Sequence, residues 1–208
     1  MRGGKLTTAG LQPAVLAGSG GEINLIDVVV HTNDNGIKTQ KLETKDAPLT
    51  TQGLQAQYAQ SKITMTRGAI TTTGVNPAVL AGSGEQIDLI NVFIKTNDIG
   101  LQAQDEQSKI TMRGGKLVKT GTRSTIFATY GGQIDLQNAQ VQTNKDGLAI
   151  RGKQSKITLK NSEVHANLVL VGRPNEGDTG EANVIADHSI LAGGARNSEK
   201  TLPKRSLV

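Results

Sequence analysis

The chain has 208 residues, with two Phe, two Tyr, no Trp, no Cys and 25 Gly, and its 23 Lys and Arg exceed its 18 Asp and Glu. So few aromatics exclude a conventional compact core of this size. Absence of cysteine excludes disulfide staples, a thiol nucleophile and thiolate-ligated metal. The net charge of +5 is uneven, because residues 109–160 carry ten Lys and Arg against two Asp.

In chain order, residues 1–6 (MRGGKL) are identical to residues 112–117, so the chain is expected to begin inside a repeat unit and to be a fragment of something longer. No basic-then-apolar secretory segment stands at its start, and no apolar run approaches the roughly 20 residues that span a bilayer. PAVLAGSG at 13–20 returns at 77–84, and GLQAQ at 53–57 returns at 100–104. Ser-Lys-Ile-Thr begins at Ser61, Ser108 and Ser155, two steps of 47 residues, and QIDL at 86–89 returns at 133–136. A fixed period is the mark of stacked units rather than one globular core.

Each 47-residue unit divides again, since Lys62-Ile63-Thr64-Met65 aligns with Gln86-Ile87-Asp88-Leu89. The coil is therefore 23–24 residues, with three short alternating strands separated by Gly, Asn and Asp turns. Three strands and three bends close a prism. The expected fold is all-β, a parallel β-helix (solenoid) of about seven coils stacked at roughly 4.8 Å. A leucine-rich or helical solenoid is disfavoured, because no 3.6-residue apolar period appears and β-branched residues dominate. Alternation points Ile63 and Met65 inward, with Ile23, Ile87, Ile110, Ile134 and Ile157 above and below Ile63. Val92, Ile94, Leu117 and Val141 line a second face, and Asn24, Thr64, Asp88, Thr111, Asp135 and Thr158 form an outward ladder.

Residues 1–195 read as one β-helix with two excursions, a polar insertion at 37–53 and a second loop at 172–180. Residues 196–208 match no strand and read as a tail or linker. A regular solenoid offers nearly the same surface at every coil, so departures from regularity are the natural places for specificity. Hence Lys38, Lys41 and Lys45 of the insertion are candidate binding residues. Lys109, Arg113, Lys116, Lys119, Arg151, Lys153 and Lys156 are a second set, a basic surface whose charge suits sulfated glycans, nucleic acid or acidic lipid. Lys62, Lys109 and Lys156 recur on alternate coils, and Asp88 and Asp135 on intervening coils offer them ordinary cross-strand ion pairs, which is the plain structural reading.

Other patterns read as structure. The corner sequences at 32–36, 96–100 and 143–147 (TNDNG, TNDIG, TNKDG) suggest stacked carboxylates, but Asn, Asp and Gly are what tight turns require. Gly82-Ser83-Gly84 lacks the spacing of a nucleophile elbow. His31, His165 and His188 have no paired partners, so no catalytic residue, metal site or cofactor is expected.

The runs at 61–74 (SKITMTRGAITTTG) and 84–98 (GEQIDLINVFIKTND) resemble the passenger domains of bacterial type V autotransporters, which have a pertactin-like right-handed β-helix. The resemblance covers about residues 1–195. It implies secretion or display on a bacterial cell surface, and it fits the lack of cysteine in chains that cross the outer membrane unfolded. No membrane embedding of this fragment and no nucleic acid partner are expected. The family roles it brings are attachment to a host cell-surface receptor or sulfated glycan and, in a pro-angiogenic subgroup, activation of an endothelial growth-factor receptor. Pectate lyases and polygalacturonases share the scaffold, but their clustered Asp with a neighbouring Arg or Lys is not found in this sequence. A polysaccharide lyase or hydrolase is therefore the minority alternative, and the oligomeric state is left open.

Overall fold

The computed structural model describes residues 1–9, 13–17, 20–32, 37–39, 54–55, 61–172 and 183–197. Every regular element among them is a β-strand, all pairings are parallel, and the strands join into one right-handed parallel β-helix. Strands such as Glu22–Thr32, Gln86–Thr96 and Lys109–Lys119 run across two faces and bend at the corner between them.

Among the described residues the first face has seven rungs in register, at 22–26, 62–66, 86–90, 109–113, 133–137, 156–160 and 183–187. Ile23, Ile63, Ile87, Ile110, Ile134 and Ile157 fall in one column, continued by Val184, and Ile63 to Ile157 are fully buried. A parallel column of Leu25, Met65, Leu89, Met112, Leu136 and Leu159 lies beside it. Both follow from the period: residues one turn apart share a position, so one apolar choice repeated along the sequence becomes one buried stack. Each such side chain removed from water contributes about 1.5–3 kcal/mol. Val92, Ile94, Leu117 and Val141 line the second face as expected, and the outward ladder from Asn24 to Thr158 is in register.

The left-handed backbone at the corner between the first and second faces was not anticipated from the sequence. One residue per rung there has a left-handed backbone: Asp27, Arg67, Asn91, Asn138, Asn161 and His188, with φ between 46° and 54°, and glycines 3 and 114 in the same column. Such a conformation costs an L-residue roughly 1–2 kcal/mol. Backbone bonds to the next rung offset it, as where the Arg67 N–H donates to Ile90 O at 2.8 Å and the Asn138 N–H to Lys160 O at 3.0 Å. Asparagine is frequent in the column because it tolerates this region best.

A second corner is lined inside by threonine. Thr32, Thr72, Thr96 and Thr143 are buried in the last inward position of the second face, and Thr72 Oγ1 donates to Thr96 Oγ1 at 2.7 Å. This is the corner of the Asn-Asp-Gly sequences, and turn chemistry accounts for it. Asn97 Nδ2 donates to Thr73 O at 3.1 Å, Thr120 Oγ1 donates to Asn97 Oδ1 at 2.8 Å, and the Asp98 N–H donates to Thr96 Oγ1 at 3.1 Å. Residues 33–36 of the first such turn lie outside the described residues.

The serine of each Ser-Lys-Ile-Thr is a stitch between rungs. Ser61, Ser108 and Ser155 are buried, and their Oγ atoms accept from the N–H of Gly20, Gly84 and Gly131 on the preceding turn at 2.9–3.0 Å. Gly82-Ser83-Gly84 is thus a structural turn held by Ser108.

Two boundaries differ from expectation. Ile37–Thr39 is itself a third-face rung, with Ile37 paired to Val15 on one side and Val79 on the other, so the surplus begins after residue 39 rather than at 37. Leu54–Gln55 also pairs with Val15 and Leu16 and with Lys38 and Thr39. Alternating, β-branched Ile-Lys-Thr suits a rung as well as Leu-Gln does, and the repeat of GLQAQ hid this. At the other end Ile190–Asn197 carries the last rung two residues into the segment expected to be tail. Residues 173–180 and 198–208 lie outside the described residues.

Candidate functional site

The cations expected on one basic face are distributed by the fold over three faces and the interior. Lys109 and Lys156 share the first outward column of the first face, in register with Lys62 through Gln86 and Gln133. Alternate rungs place these lysines about 9.6 Å apart. Arg113 ends the same strand segment as Lys109, roughly 13 Å along it. Lys116 has crossed the left-handed corner and stands on the second face beside Phe93. Arg151 ends the third face, and Lys153 is exposed in the bend leading to Lys156. Lys38 belongs to a third-face rung rather than to an arm, and Lys41 and Lys45 lie outside the described residues.

Lys119 corrects the expected surface. Its side chain is 2% exposed and occupies the position that Thr96 and Thr143 hold on adjacent rungs. The Nζ donates to Gly121 O at 2.7 Å. Burial pushes its pKa down, partly opposed by the carboxylates of Asp98 and Asp146. Leu117 faces inward, so alternation already sends Lys119 inward two residues later. Grouping it by charge with its neighbours overlooked that parity.

On the first face the ion pairs decide which cations are available. Lys62 Nζ lies 2.9 Å from Asp88 Oδ2, and Lys109 Nζ lies 2.6 Å from Asp135 Oδ2, each lysine reaching one rung on and two residues along. Arg113 Nη1 approaches the other oxygen of Asp88 at 3.9 Å. The plain reading of these lysines is therefore correct for Lys62 and Lys109. It fails at Lys156. The next rung pairs Lys156 with Asn183, which sets Ile185 where Asp88 and Asp135 stood, and Ile185 is 45% exposed. Lys116, Lys153, Lys156 and Lys160 make no ion pair among the described residues.

An aromatic ring adjoins this end of the face. The Arg151 guanidinium lies 5.8 Å from the centroid of the Tyr130 ring, and Tyr130 is half exposed in the bend between the third and first faces. The Tyr130 N–H donates to Arg151 O at 3.0 Å, which ties the ring to the rung carrying Arg151, Lys153 and Lys156. Sequence reading missed Tyr130. As one of only two tyrosines, in a Tyr-Gly-Gly bend where the equivalent turn has Ser-Gly-Glu, it was the visible irregularity.

The histidines are dispersed over the surface. His31 pairs in register with Thr7 and Thr71, His165 Nε2 is 3.8 Å from Glu163 Oε2, and His188 Nδ1 is 2.5 Å from Asp187 Oδ1. Among the described residues no group of three or more acidic or histidine side chains is arranged to hold a metal ion. No family model, no curated relative and no solved structure matches the chain.

Proposed function

We propose that the protein is a non-enzymatic binding module, a β-helical segment of the autotransporter-passenger kind displayed on or released from a bacterial cell, which attaches to an anionic glycan or glycan-bearing receptor on a host surface. The supporting observation is the break in the ion-pair ladder. Lys156 stands in the column of Lys62 and Lys109, but Ile185 replaces the aspartate that neutralises each of them. Among the described residues no carboxylate pairs with Lys153 or Lys156, and they lie on the rung that the exposed Tyr130 ring and Arg151 adjoin. A sulfate needs a cation without an internal carboxylate, and a sugar ring packs on an exposed aromatic face.

Retention on immobilised heparin tests the proposal. The protein is expected to elute at elevated salt, with affinity falling steeply as salt rises because bound counterions are released. Lys153→Gln combined with Lys156→Gln is expected to elute earlier, and Tyr130→Ala to weaken binding with the salt dependence unchanged. Elution of the unsubstituted protein at low salt, or no response to the lysine substitutions, rejects the reading.

A further inference from the structure

A second surface, independent of the glycan reading, lies on the second face. Lys5, Val29, Ala69, Phe93 and Lys116 occupy one outward column on five successive rungs, as the register Lys5 to Val29, Val29 to Ala69, Ala69 to Phe93 and Phe93 to Lys116 shows. Val29 is 42% exposed and Phe93 41%. Scattered surface apolar residues are ordinary, but three on consecutive rungs make a contiguous strip. The short side chain of Ala69 leaves a dent between the two longer ones, which stand about 9.6 Å apart.

Charge frames the strip. Lys5 closes one end and Lys116 the other, about 19 Å apart over four rungs, and no carboxylate enters the column before Glu163. Along one flank, at the left-handed corner, Arg67 donates to both carboxylate oxygens of Asp27 at 2.9 and 3.1 Å. Arg67 holds the Asp27 carboxyl below its usual range, so the pair is ionised at the rim of the apolar strip.

The geometry points to this strip as the docking site for an extended acidic peptide segment, lying along the helix axis with one aliphatic side chain seated over Ala69 between Val29 and Phe93. An extended chain advances about 3.3 Å per residue, so carboxylates three positions before and after the aliphatic residue reach Lys5 and Lys116. An apolar centre with a charged rim is the usual anatomy of a protein contact. Insertion into a lipid bilayer fits less well, because it would strip water from the Asp27–Arg67 pair.

The test is fluorescence anisotropy with a labelled peptide carrying leucine at its centre, glutamate three positions to either side and uncharged residues between. It is expected to bind saturably, and a serine-centred version is expected to bind at least tenfold more weakly. Phe93→Ser and Val29→Ser point away from the core, so circular dichroism should stay unchanged while affinity falls about tenfold. Lys5→Gln with Lys116→Gln should weaken binding and flatten its salt dependence, whereas Lys156→Gln should leave it unaltered, which separates this site from the glycan surface. Equal binding of leucine and serine peptides, or no binding of either, overturns the inference. Capture by phosphatidylserine vesicles that depends on Phe93 in the absence of peptide binding overturns it in favour of a membrane.

Discussion

The ammonium of Lys119 donates to the carbonyl oxygen of Gly121 at 2.7 Å from inside a corner that neighbouring rungs fill with threonine. Burial outweighs the compensation from this carbonyl and from the Asp98 and Asp146 carboxylates, and removing such a charge often stabilises a fold. Lys119→Thr restores the ladder between Thr96 and Thr143 and is expected to gain about 1 kcal/mol, a rise in Tm of roughly 2–4 °C by calorimetry.

The same residue sets a pH dependence. Burial lowers its folded pKa below the ordinary 10.5, so between those two values the unfolded chain binds more protons than the folded one. Stability conferred by this residue therefore rises as pH climbs through that window and stays at its lower value beneath it. Denaturant unfolding of the unsubstituted protein and Lys119→Met across alkaline pH should show the difference between them shrinking as pH increases. A constant difference contradicts the assignment of a buried, depressed lysine.

Ser155 accepts from the Gly131 N–H at 3.0 Å and donates to Arg151 O at 2.7 Å, so it joins two turns through one hydroxyl. Ser155→Ala leaves a buried N–H unpaired and is expected to cost about 1–3 kcal/mol, with hydrogen exchange at Gly131 accelerated. The loss should stay close to the affected rungs, because each turn of a solenoid rests on its neighbours alone.

Ile110 lies between Ile87 and Ile134 in the buried column with no exposed surface. Ile110→Ala is expected to lower stability by about 2–5 kcal/mol in chemical denaturation. The outward-facing, partly exposed Thr158→Ala should cost far less. Equal losses would mean the column is not the core.

Charge on the first face can be raised without adding a cation. Lys109 is neutralised by Asp135, so Asp135→Asn should free it and delay elution from heparin, the opposite of Lys156→Gln. Stability should change little, since exposed pairs contribute roughly 0–1 kcal/mol. Earlier elution of Asp135→Asn would separate heparin affinity from this face.

The repeat period, the stacked isoleucines and the Asn-Asp-Gly turns were legible in the sequence, because a fixed spacing puts equivalent residues in equivalent places and alternation decides inside from outside. Even Lys119 could have been placed by counting from Leu117. The tertiary structure alone decided that Lys156 departs from the pairing of Lys62 and Lys109 and which apolar residues meet on the surface. Lys109 and Asp135 are 26 residues apart, and Val29, Ala69 and Phe93 are drawn from three different turns; they are neighbours only because rung register makes them so. Local propensity says nothing about that register. On the rung after Lys156 that register sets Ile185 in the place that Asp88 and Asp135 hold on earlier rungs.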